Sequence, residues 1–174
     1  MSKYDLNINM NNRNSSQTLI LEQIKPDSFV LEFGCSTGYM TKYMKEKLNC
    51  VVDAIEKDTE SIRQASQYAR QIYCGDIDTD GWFAHYKIES RYDYILFADV
   101  LEHLKYPFEA LYLATKLLQD DGKIIVSIPN ICHNDIIIKL FYDRFTYTDL
   151  GLLDRTHIHF WVYRILLILL IKPV

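Results

Sequence analysis

Apolar and polar positions along the chain follow two alternating periods. Near-continuous apolar runs begin at residues 29, 51, 72 and 92, a fifth covers 123–128, and runs of this kind predict strands. Between them, apolar residues recur three or four positions apart, which predicts helices. Strands that alternate with helices in this way predict an α/β doubly wound fold around one mostly parallel sheet.

The helical pattern also predicts which side chains face the core. Asn14 or Ser15 caps a first helix that directs Leu19, Ile20 and Ile24 inward. The later inner faces are Met40, Tyr43, Met44 and Leu48 after the first strand; Ile62 and Ala65 in a helix over 58–68 capped by Asp58; and Phe108, Leu111, Thr115 and Leu118 after Pro107. We expect the helix after residue 107 to close at Asp121-Gly122, a short helix or a loop at 80–86, and a further helical segment at 131–141.

The most informative segment joins the first strand to the next helix. Residues 29–40 read Phe-Val-Leu-Glu-Phe-Gly-Cys-Ser-Thr-Gly-Tyr-Met, an apolar run that ends in an acid and then a small-residue loop between two glycines. Glycine lets the backbone approach a ligand closely, and the helix N-terminus directs N–H groups into the loop. The spacing of Gly34 and Gly38 differs from the dinucleotide fingerprint, and Tyr39-Met40 replaces the Lys-Ser/Thr of a P-loop.

This segment resembles motif I of the class I S-adenosylmethionine-dependent methyltransferases, with a serine where the middle glycine usually stands. The resemblance implies a Rossmann-like fold and S-adenosylmethionine as cofactor. The loop residues that it assigns to cofactor binding are Glu32, Gly34, Cys35, Ser36 and Gly38. For a motif this short, the alternative is an ordinary strand–turn–helix of some other α/β domain.

Three further segments match the family in chain order. Glu56, 24 positions after Glu32, ends the second strand, where a carboxylate can accept both ribose hydroxyls; a solvated acid is the alternative. The resemblance assigns the adenine amino group to Asp76 and packing on the adenine ring to Ile77. Residues 92–104, Tyr-Asp-Tyr-Ile-Leu-Phe-Ala-Asp-Val-Leu-Glu-His-Leu, are similar to the fourth strand of the family. The remaining residues expected beside the cofactor are Lys57, Ala98, Asp99 and Val100.

Length and composition restrict the class of protein. The 174 residues fit one domain over 1–174, with a loose Asn-rich arm at 1–13 that either folds over the cofactor or forms a disordered tail. A net charge of −4 argues against general nucleic-acid binding. The four cysteines form no Cys-x-x-Cys pair and the start has no apolar signal-peptide core, so we expect a cytoplasmic protein.

The end of the chain departs from the family pattern. Residues 165–171 are uninterruptedly apolar, but the run is too short for a bilayer, which requires about 20 residues. Family members usually continue through a sixth strand and an antiparallel seventh, so we predict an incomplete final hairpin and an atypical apolar C-terminus at 160–174. Exposed apolar surface drives association. We therefore expect self-association, or dependence on a partner domain, through 160–174.

Histidines supply the candidate catalytic groups. Residues 152–161, Leu-Leu-Asp-Arg-Thr-His-Ile-His-Phe-Trp, resemble a segment of the small-molecule and glycan methyltransferases of types 11 and 12, where it faces the substrate; the alternative is a surface loop. An imidazole has the pKa range needed to accept a proton from a hydroxyl nucleophile. We take His103 and His157 as the catalytic candidates, with His133 and Asp99 as further options; each histidine has a structural role as its alternative.

One cluster raises the question of a metal ion. Asp99, Glu102 and His103 share one face of a helical turn and are similar to a Glu-x-x-Glu-His cluster found in quinone-biosynthesis O-methyltransferases and in enzymes that methylate the 3′ end of small RNAs. There the cluster binds a divalent metal and a later histidine completes it, a role that would fall to His157. Because the first ligand is Asp instead of Glu, and Leu-Glu-His-Leu is common in metal-free methyltransferases, we expect no metal.

The expected function is therefore S-adenosylmethionine-dependent methyl transfer. The acceptor is expected to be an O or N nucleophile of a small molecule, with a sugar or glycan precursor as first choice. The alternative is a cofactor-binding remnant or partner subunit without turnover. An NAD-dependent oxidoreductase ranks third because the spacing of the glycine loop disfavours it.

Overall fold

Five parallel strands form one sheet in the computed structural model, which describes residues 8–86 and 91–162. The strands are β1 (Phe29–Phe33), β2 (Val51–Glu56), β3 (Gln71–Cys74), β4 (Tyr92–Ala98) and β5 (Leu118–Ser127). Their order is β3-β2-β1-β4-β5, so the strand order reverses between β1 and β4. Ligands of open α/β sheets bind at such a reversal, beyond the carboxyl ends of the strands. The predicted doubly wound fold is confirmed.

Helices cover both faces of this sheet because its central strands are apolar on both sides. The helices are α1 (Ser16–Leu21), α2 (Tyr39–Leu48), α3 (Thr59–Ala65), α4 (Gly81–Tyr86), α5 (Pro107–Thr115) and α6 (Asn134–Phe141), and a 3₁₀ turn spans Leu101–His103. In β1, Val30 packs in a cluster with α1 and α2, whereas Leu31 and Phe33 pack in a cluster with α4 and α5. This alternation of side chains in a fully buried strand is expected of a parallel sheet with two helical layers.

The two layers differ in the side chains that fill them. On the α4 and α5 side, Phe33 stacks on Phe97 with ring centroids 4.1 Å apart and meets Trp82 edge-on at 4.8 Å. On the α1 and α2 side, Met40 and Met44 of α2 are completely buried. The predicted inner face of α2 is confirmed, since Tyr43 and Leu48 also pack against this cluster.

The prediction for the segment after Pro107 was right for Leu111, which packs partly against the core, and wrong for Phe108, Thr115 and the end of the helix. Pro107 and Ala110 face the core, whereas Phe108 is 48% exposed. Small residues let α5 lie close to the sheet, and this advantage outweighs the burial of the larger side chains. The helix ends at Thr115, and Leu118 already pairs with Tyr92 in β5. Two residues further along β4, Tyr94 pairs with Lys123, so the register shifts and leaves the residues between Leu118 and Lys123 as extra residues of β5. Gly122 is one of these residues, so it lies inside a strand and does not end a helix.

Smaller corrections concern other helix ends. Leu19, which was predicted to face the core, is 51% exposed, and Leu21 is buried there instead. The helix capped by Asp58 ends at Ala65 instead of residue 68, and α6 begins at Asn134 instead of 131. The cap itself is confirmed, because the Asp58 carboxylate accepts the backbone N–H of Ser61.

Both chain ends bear on the sequence predictions. Residues 8–13 form hydrogen-bonded turns, and Ile8 and Met10 pack against the α1 and α2 cluster. The rest of the arm at 1–7, and 163–174 of the apolar end, lie outside the described residues. Within the part of the chain that is described, no helix has both the length and the apolar character needed to cross a membrane.

Candidate functional site

The loop between β1 and α2 is held in a shape that requires glycine. Gly34 has φ +67° and Gly38 has φ +80°, a region that side chains disfavour. A Cβ on Gly34 would lie 2.8 Å from Val100, and one on Gly38 would lie 2.8 Å from Ala65. The loop therefore packs tightly against the segment after β4 on one side and against α3 on the other, which fixes the position of its backbone.

Glu56 lies at the tip of β2, directly beside this loop. Its Oε2 accepts the backbone N–H of Ser36 at 2.9 Å, and its Oε1 accepts those of Lys57 at 2.8 Å and Asp58 at 2.9 Å. Three amides thus hold one carboxylate at the carboxyl edge of the sheet. Because a carboxylate has about four lone-pair sites, these three amides leave about one site for a ligand donor.

Glu32 is the other acid that the motif singles out, and it lies inside the protein. It is 2% exposed, and its Oε2 accepts the hydroxyl hydrogen of Thr41 at 2.6 Å. Burial raises the pKa of Glu32 to about 7, the Thr41 hydrogen bond lowers it, and the nearby Glu56 charge raises it. Glu32 therefore joins the end of β1 to α2 through Thr41 and shares an electrostatic environment with Glu56.

Two residues of this loop region were missed by the sequence predictions. The Thr37 hydroxyl is buried without a hydrogen-bond partner among the described residues. Burial raises the pKa of Tyr39, and the charges of Glu32 and Asp99 raise it further. The signal for both was adjacency, since they flank Gly38. In contrast, the Cys35 side chain packs in the core, and only its backbone belongs to the loop.

The segment after β3 forms the next wall. The Gly75 N–H donates to the Glu56 carbonyl at 3.0 Å, which places the exposed Asp76 one residue from the tip of β2. Ile77 is half-buried against the core. The Asp78 carboxylate accepts the backbone N–H groups of Lys105 and Tyr106 and so ties this wall to the start of α5.

The segment after β4 completes the edge. Asp99 has φ +54°, and its Oδ1 accepts the hydroxyl hydrogen of Ser127 at 2.8 Å. Its backbone N–H donates to the Ser127 carbonyl at 3.1 Å, which joins the ends of β4 and β5. Ala98 is half-buried just before it, and Val100 packs against Gly34 just after it. The structure thus brings all twelve predicted cofactor-binding residues to one edge of the sheet.

A second cluster lies just beyond, and it contains both predicted catalytic histidines. One ligand atom each from Glu102, His103 and His157 lies within 4.8 Å of the other two. The rings of His103 and His157 meet edge-on with centroids 4.8 Å apart. Asp99, the fourth predicted member, is engaged with Ser127 as described above and is absent from this group of three.

Burial governs the charges of this cluster. Glu102 is completely buried, and burial raises its pKa to about 8, with the Asp99 charge as a smaller contribution in the same direction. Burial also lowers the pKa of His103, and its hydrogen bond to Thr156 opposes this shift. Both effects favour the neutral forms of the two side chains, so the cluster carries less charge than its composition indicates.

These features fit the cofactor that the sequence implies. The loop backbone is fixed by close packing at Gly34 and Gly38, the Thr37 hydroxyl lacks a partner among the described residues, and Glu56 is fixed with lone-pair capacity to spare. A nucleoside with ribose hydroxyls and an amino-acid tail offers donors and acceptors of the matching kind. Nothing in the geometry of this edge conflicts with S-adenosylmethionine.

Known proteins share this architecture. The family described as methionine biosynthesis protein MetW matches residues 14–160. A SAM-dependent methyltransferase from Archaeoglobus fulgidus has a TM-score of 0.66 and 16% identity over 92% of this chain and 70% of that one. A SAM-dependent methyltransferase from Thermotoga maritima has a TM-score of 0.63 and 16% identity, and the match covers 90% of this chain and 67% of that one.

A third solved structure carries a cofactor product. Coclaurine N-methyltransferase bound to N-methylheliamine and SAH has a TM-score of 0.54 and 24% identity over 63% of this chain. The chain spans only 34% of the length of that enzyme. At these identities the likeness shows a shared fold, and it confirms the Rossmann-like methyltransferase architecture. No curated protein sequence matches the chain.

Proposed function

From the premise that the chain belongs to the methionine biosynthesis protein MetW family, we infer that it binds S-adenosylmethionine and transfers the methyl group to an O or N nucleophile of a small molecule. The observation that carries this proposal is the Glu56 carboxylate, held by three backbone amides beside a glycine loop. The fold shared with several SAM-dependent methyltransferases supports it.

Each wall of the edge has a role in this proposal. Glu56 accepts one ribose hydroxyl hydrogen at its remaining lone-pair site and the other in a shared bond at an oxygen that already accepts an amide. Asp76 accepts a hydrogen of the adenine amino group, and Ile77 packs on the adenine ring. The glycine loop and the Thr37 hydroxyl hold the amino-acid tail, with Glu32 beneath them. Tight packing of Gly34 against Val100 keeps the loop and the end of β4 in one arrangement, which is what positioning of two reactants requires.

The acceptor side lies toward the histidine pair. When bound, the cofactor supplies a sulfonium methyl group that is open to in-line attack. The half-buried His103 is the better-placed of the two histidines to hold the acceptor's proton, because its lowered pKa keeps it neutral and its Nδ1 is engaged with the Thr156 carbonyl at 3.2 Å. Its Nε2 is then the free base.

The family description favours a second candidate. A protein of methionine biosynthesis can act as a cofactor-binding partner of another enzyme without turnover of its own. This candidate uses the same edge of the sheet but needs no acceptor and no base.

A sugar or glycan precursor remains the first choice of acceptor under the main proposal.

Calorimetry on the purified chain tests these candidates. S-adenosylhomocysteine and S-adenosylmethionine should bind and NAD should not. Glu56→Ala should weaken S-adenosylhomocysteine binding by about 1–3 kcal/mol, because it leaves ribose hydroxyls unpaired. Glu60→Ala, an exposed glutamate on α3, is the matched control and should change nothing. Equal affinity for the Glu56→Ala and control variants would remove the assignment of the site.

Turnover separates the remaining alternatives. Methyl transfer to any compound of an acceptor panel of sugars, amines and hydroxyl compounds supports the enzyme. Tight S-adenosylhomocysteine binding without transfer to any of them supports the partner subunit. Binding of NAD alone supports an oxidoreductase and contradicts the proposal.

A further inference from the structure

We propose that Glu102, His103 and His157 form a binding site for one divalent transition-metal ion, with zinc as the ion of reference. The three residues come from two distant parts of the chain, yet one ligand atom of each lies within 4.8 Å of the others. Metal binding itself does not depend on the proposed methyl transfer.

The backbone positions these ligands together. Glu102 and His103 belong to the 3₁₀ turn after β4. The loop that carries His157 docks on the same turn, because the N–H groups of Ile158 and His159 donate to the Glu102 carbonyl at 2.9 Å and 3.2 Å. Glu102 therefore anchors the loop through its main chain and faces the loop's histidine with its side chain.

Hydrogen bonds fix the tautomers of both histidines. Nδ1 of His157 lies 3.3 Å from the Leu152 carbonyl, and Nδ1 of His103 lies 3.2 Å from the Thr156 carbonyl. A carbonyl oxygen can only accept, and the Thr156 hydroxyl, which also lies 3.2 Å from Nδ1 of His103, donates its hydrogen to Asp154. These contacts favour the tautomer in which Nδ1 of each ring carries the proton and Nε2 keeps its lone pair. An N–H that donates to a backbone carbonyl while the other nitrogen is a free electron-pair donor is the usual arrangement of a metal-binding histidine.

Glu102 supplies an independent observation. It is completely buried, and neither carboxylate oxygen has a hydrogen-bond partner among the described residues. Its Oε1 lies 4.0 Å from Nε2 of His157, beyond hydrogen-bond distance. A buried polar group without a partner is unfavourable, and the Glu102 oxygens hydrogen-bond to neither of the two imidazoles beside them. A cation between the three groups satisfies all of them.

The donor set indicates the kind of ion. Two imidazoles and one carboxylate suit zinc and related transition metals, whereas calcium and magnesium prefer oxygen ligands alone. Metal–ligand bonds of about 2.0–2.2 Å require the ligand atoms to approach each other by roughly 1 Å from their present separations. Since Asp99 is engaged with Ser127, three protein ligands leave open positions for water or a substrate oxygen, as in catalytic zinc sites.

The location links the ion to chemistry. The cluster follows β4 directly, a few residues from the edge proposed to bind the cofactor. A metal there would lower the pKa of a bound acceptor hydroxyl, and the free imidazole base of the previous subsection would no longer be needed. This consequence, unlike the binding itself, rests on the proposed function.

Metal binding to the chelator-treated chain tests the site. Zinc titration by calorimetry and metal analysis after dialysis should give one equivalent per chain, and Co²⁺ should give the visible absorption of a low-coordinate nitrogen and oxygen site. Glu102→Gln and His157→Ala should each weaken binding at least about 10-fold. Glu102→Gln preserves the shape of the side chain, so it keeps the test valid if His157→Ala fails to fold.

Two controls define the outcomes. His85→Ala removes an exposed imidazole on α4, outside the cluster, and should bind zinc as the unaltered chain does. No binding to the unaltered chain, or equal binding by Glu102→Gln, overturns the proposal. So does a Co²⁺ spectrum with thiolate charge transfer, which would place the ion on the exposed Cys74 or Cys132. S-adenosylhomocysteine binding is measured on the same samples, so loss of one site is distinguished from loss of the other.

Discussion

Replacement of Glu32 by glutamine should make the protein more stable, and the gain should grow with pH. Burial raises the pKa of this carboxyl from its ordinary value of 4.5 to about 7 in the folded chain. Between these two values the unfolded chain ionises while the folded chain keeps the proton. Stability therefore falls as pH rises through this window, and the full loss is present above about pH 7.

The magnitude follows from the shift. One pKa unit corresponds to about 1.36 kcal/mol, so a rise from 4.5 to about 7 costs the folded state about 3 kcal/mol at pH 8. Glutamine carries no charge, and its carbonyl oxygen can accept the Thr41 hydroxyl hydrogen as Glu32 does. The stability advantage of Glu32→Gln should thus increase by about 2–3 kcal/mol between pH 5 and pH 8.

Urea unfolding of both proteins at pH 5, 6, 7 and 8 measures this difference. Glu46→Gln, an exposed glutamate on α2, is the control and should follow the unaltered chain at every pH. A constant difference between Glu32→Gln and the unaltered chain across the series would refute the reasoning. It would mean that Glu32 has its ordinary pKa in the folded protein.

Two further predictions concern tight packing and a buried charge. Gly38→Ala should destabilise the chain by about 1–3 kcal/mol more than Gly151→Ala, because both have positive φ but only Gly38 has a backbone atom of Ala65 within 2.8 Å of the added Cβ. Equal losses in thermal unfolding would show that packing against α3 is unimportant. Asp53→Ala should cost about 3 kcal/mol, since the completely buried Asp53 carboxylate binds Arg70 through two hydrogen bonds at 2.6 Å and 2.8 Å. A loss below about 1 kcal/mol in urea unfolding would contradict that estimate of the pair.

The sequence predicted most of the sheet because the signals there are local. Parallel strands buried on both faces are apolar along their whole length, so β1, β2 and β4 stand out in composition. The glycine loop was equally visible, since Gly34 and Gly38 are needed where φ is positive and neighbours are close. Glu56 and Asp76 each follow a predicted parallel strand. Their order along the chain therefore predicted that both lie at the carboxyl edge of the sheet, before any contact was known.

The face of α5 could not be read in the same way. Apolar residues occupy nearly every position from Pro107 to Leu118, so periodicity alone fits more than one inner face. The choice depends on how closely the helix must approach the sheet, and Ala110 allows a closer approach than Phe108. The distance between α5 and the sheet depends on how the two layers pack, so it cannot be predicted from a local segment of sequence.

The composition of the histidine cluster was only partly predictable. Spacing brought Glu102 and His103 together and pointed to Asp99, but the left-handed backbone at Asp99 turns this residue toward Ser127. His157 was named only through the family resemblance, because the backbone hydrogen bonds that bring its loop to Glu102 join groups more than fifty residues apart and leave no pattern in the sequence. The same contacts explain why the role of Thr156 was not anticipated.

The two clusters are coupled by one short stretch of chain. Val100 packs against the position where Gly34 lacks a Cβ, and the turn of Leu101–His103 starts at the next residue. Any shift of the glycine loop on cofactor binding must therefore either compress Val100 or move the turn, and the turn carries two of the three proposed metal ligands. Since tightly packed contacts transmit displacement instead of absorbing it, occupancy of the cofactor edge should alter the separation of Glu102 and His157. S-adenosylhomocysteine should therefore change the zinc affinity of a site that also binds the ion without it.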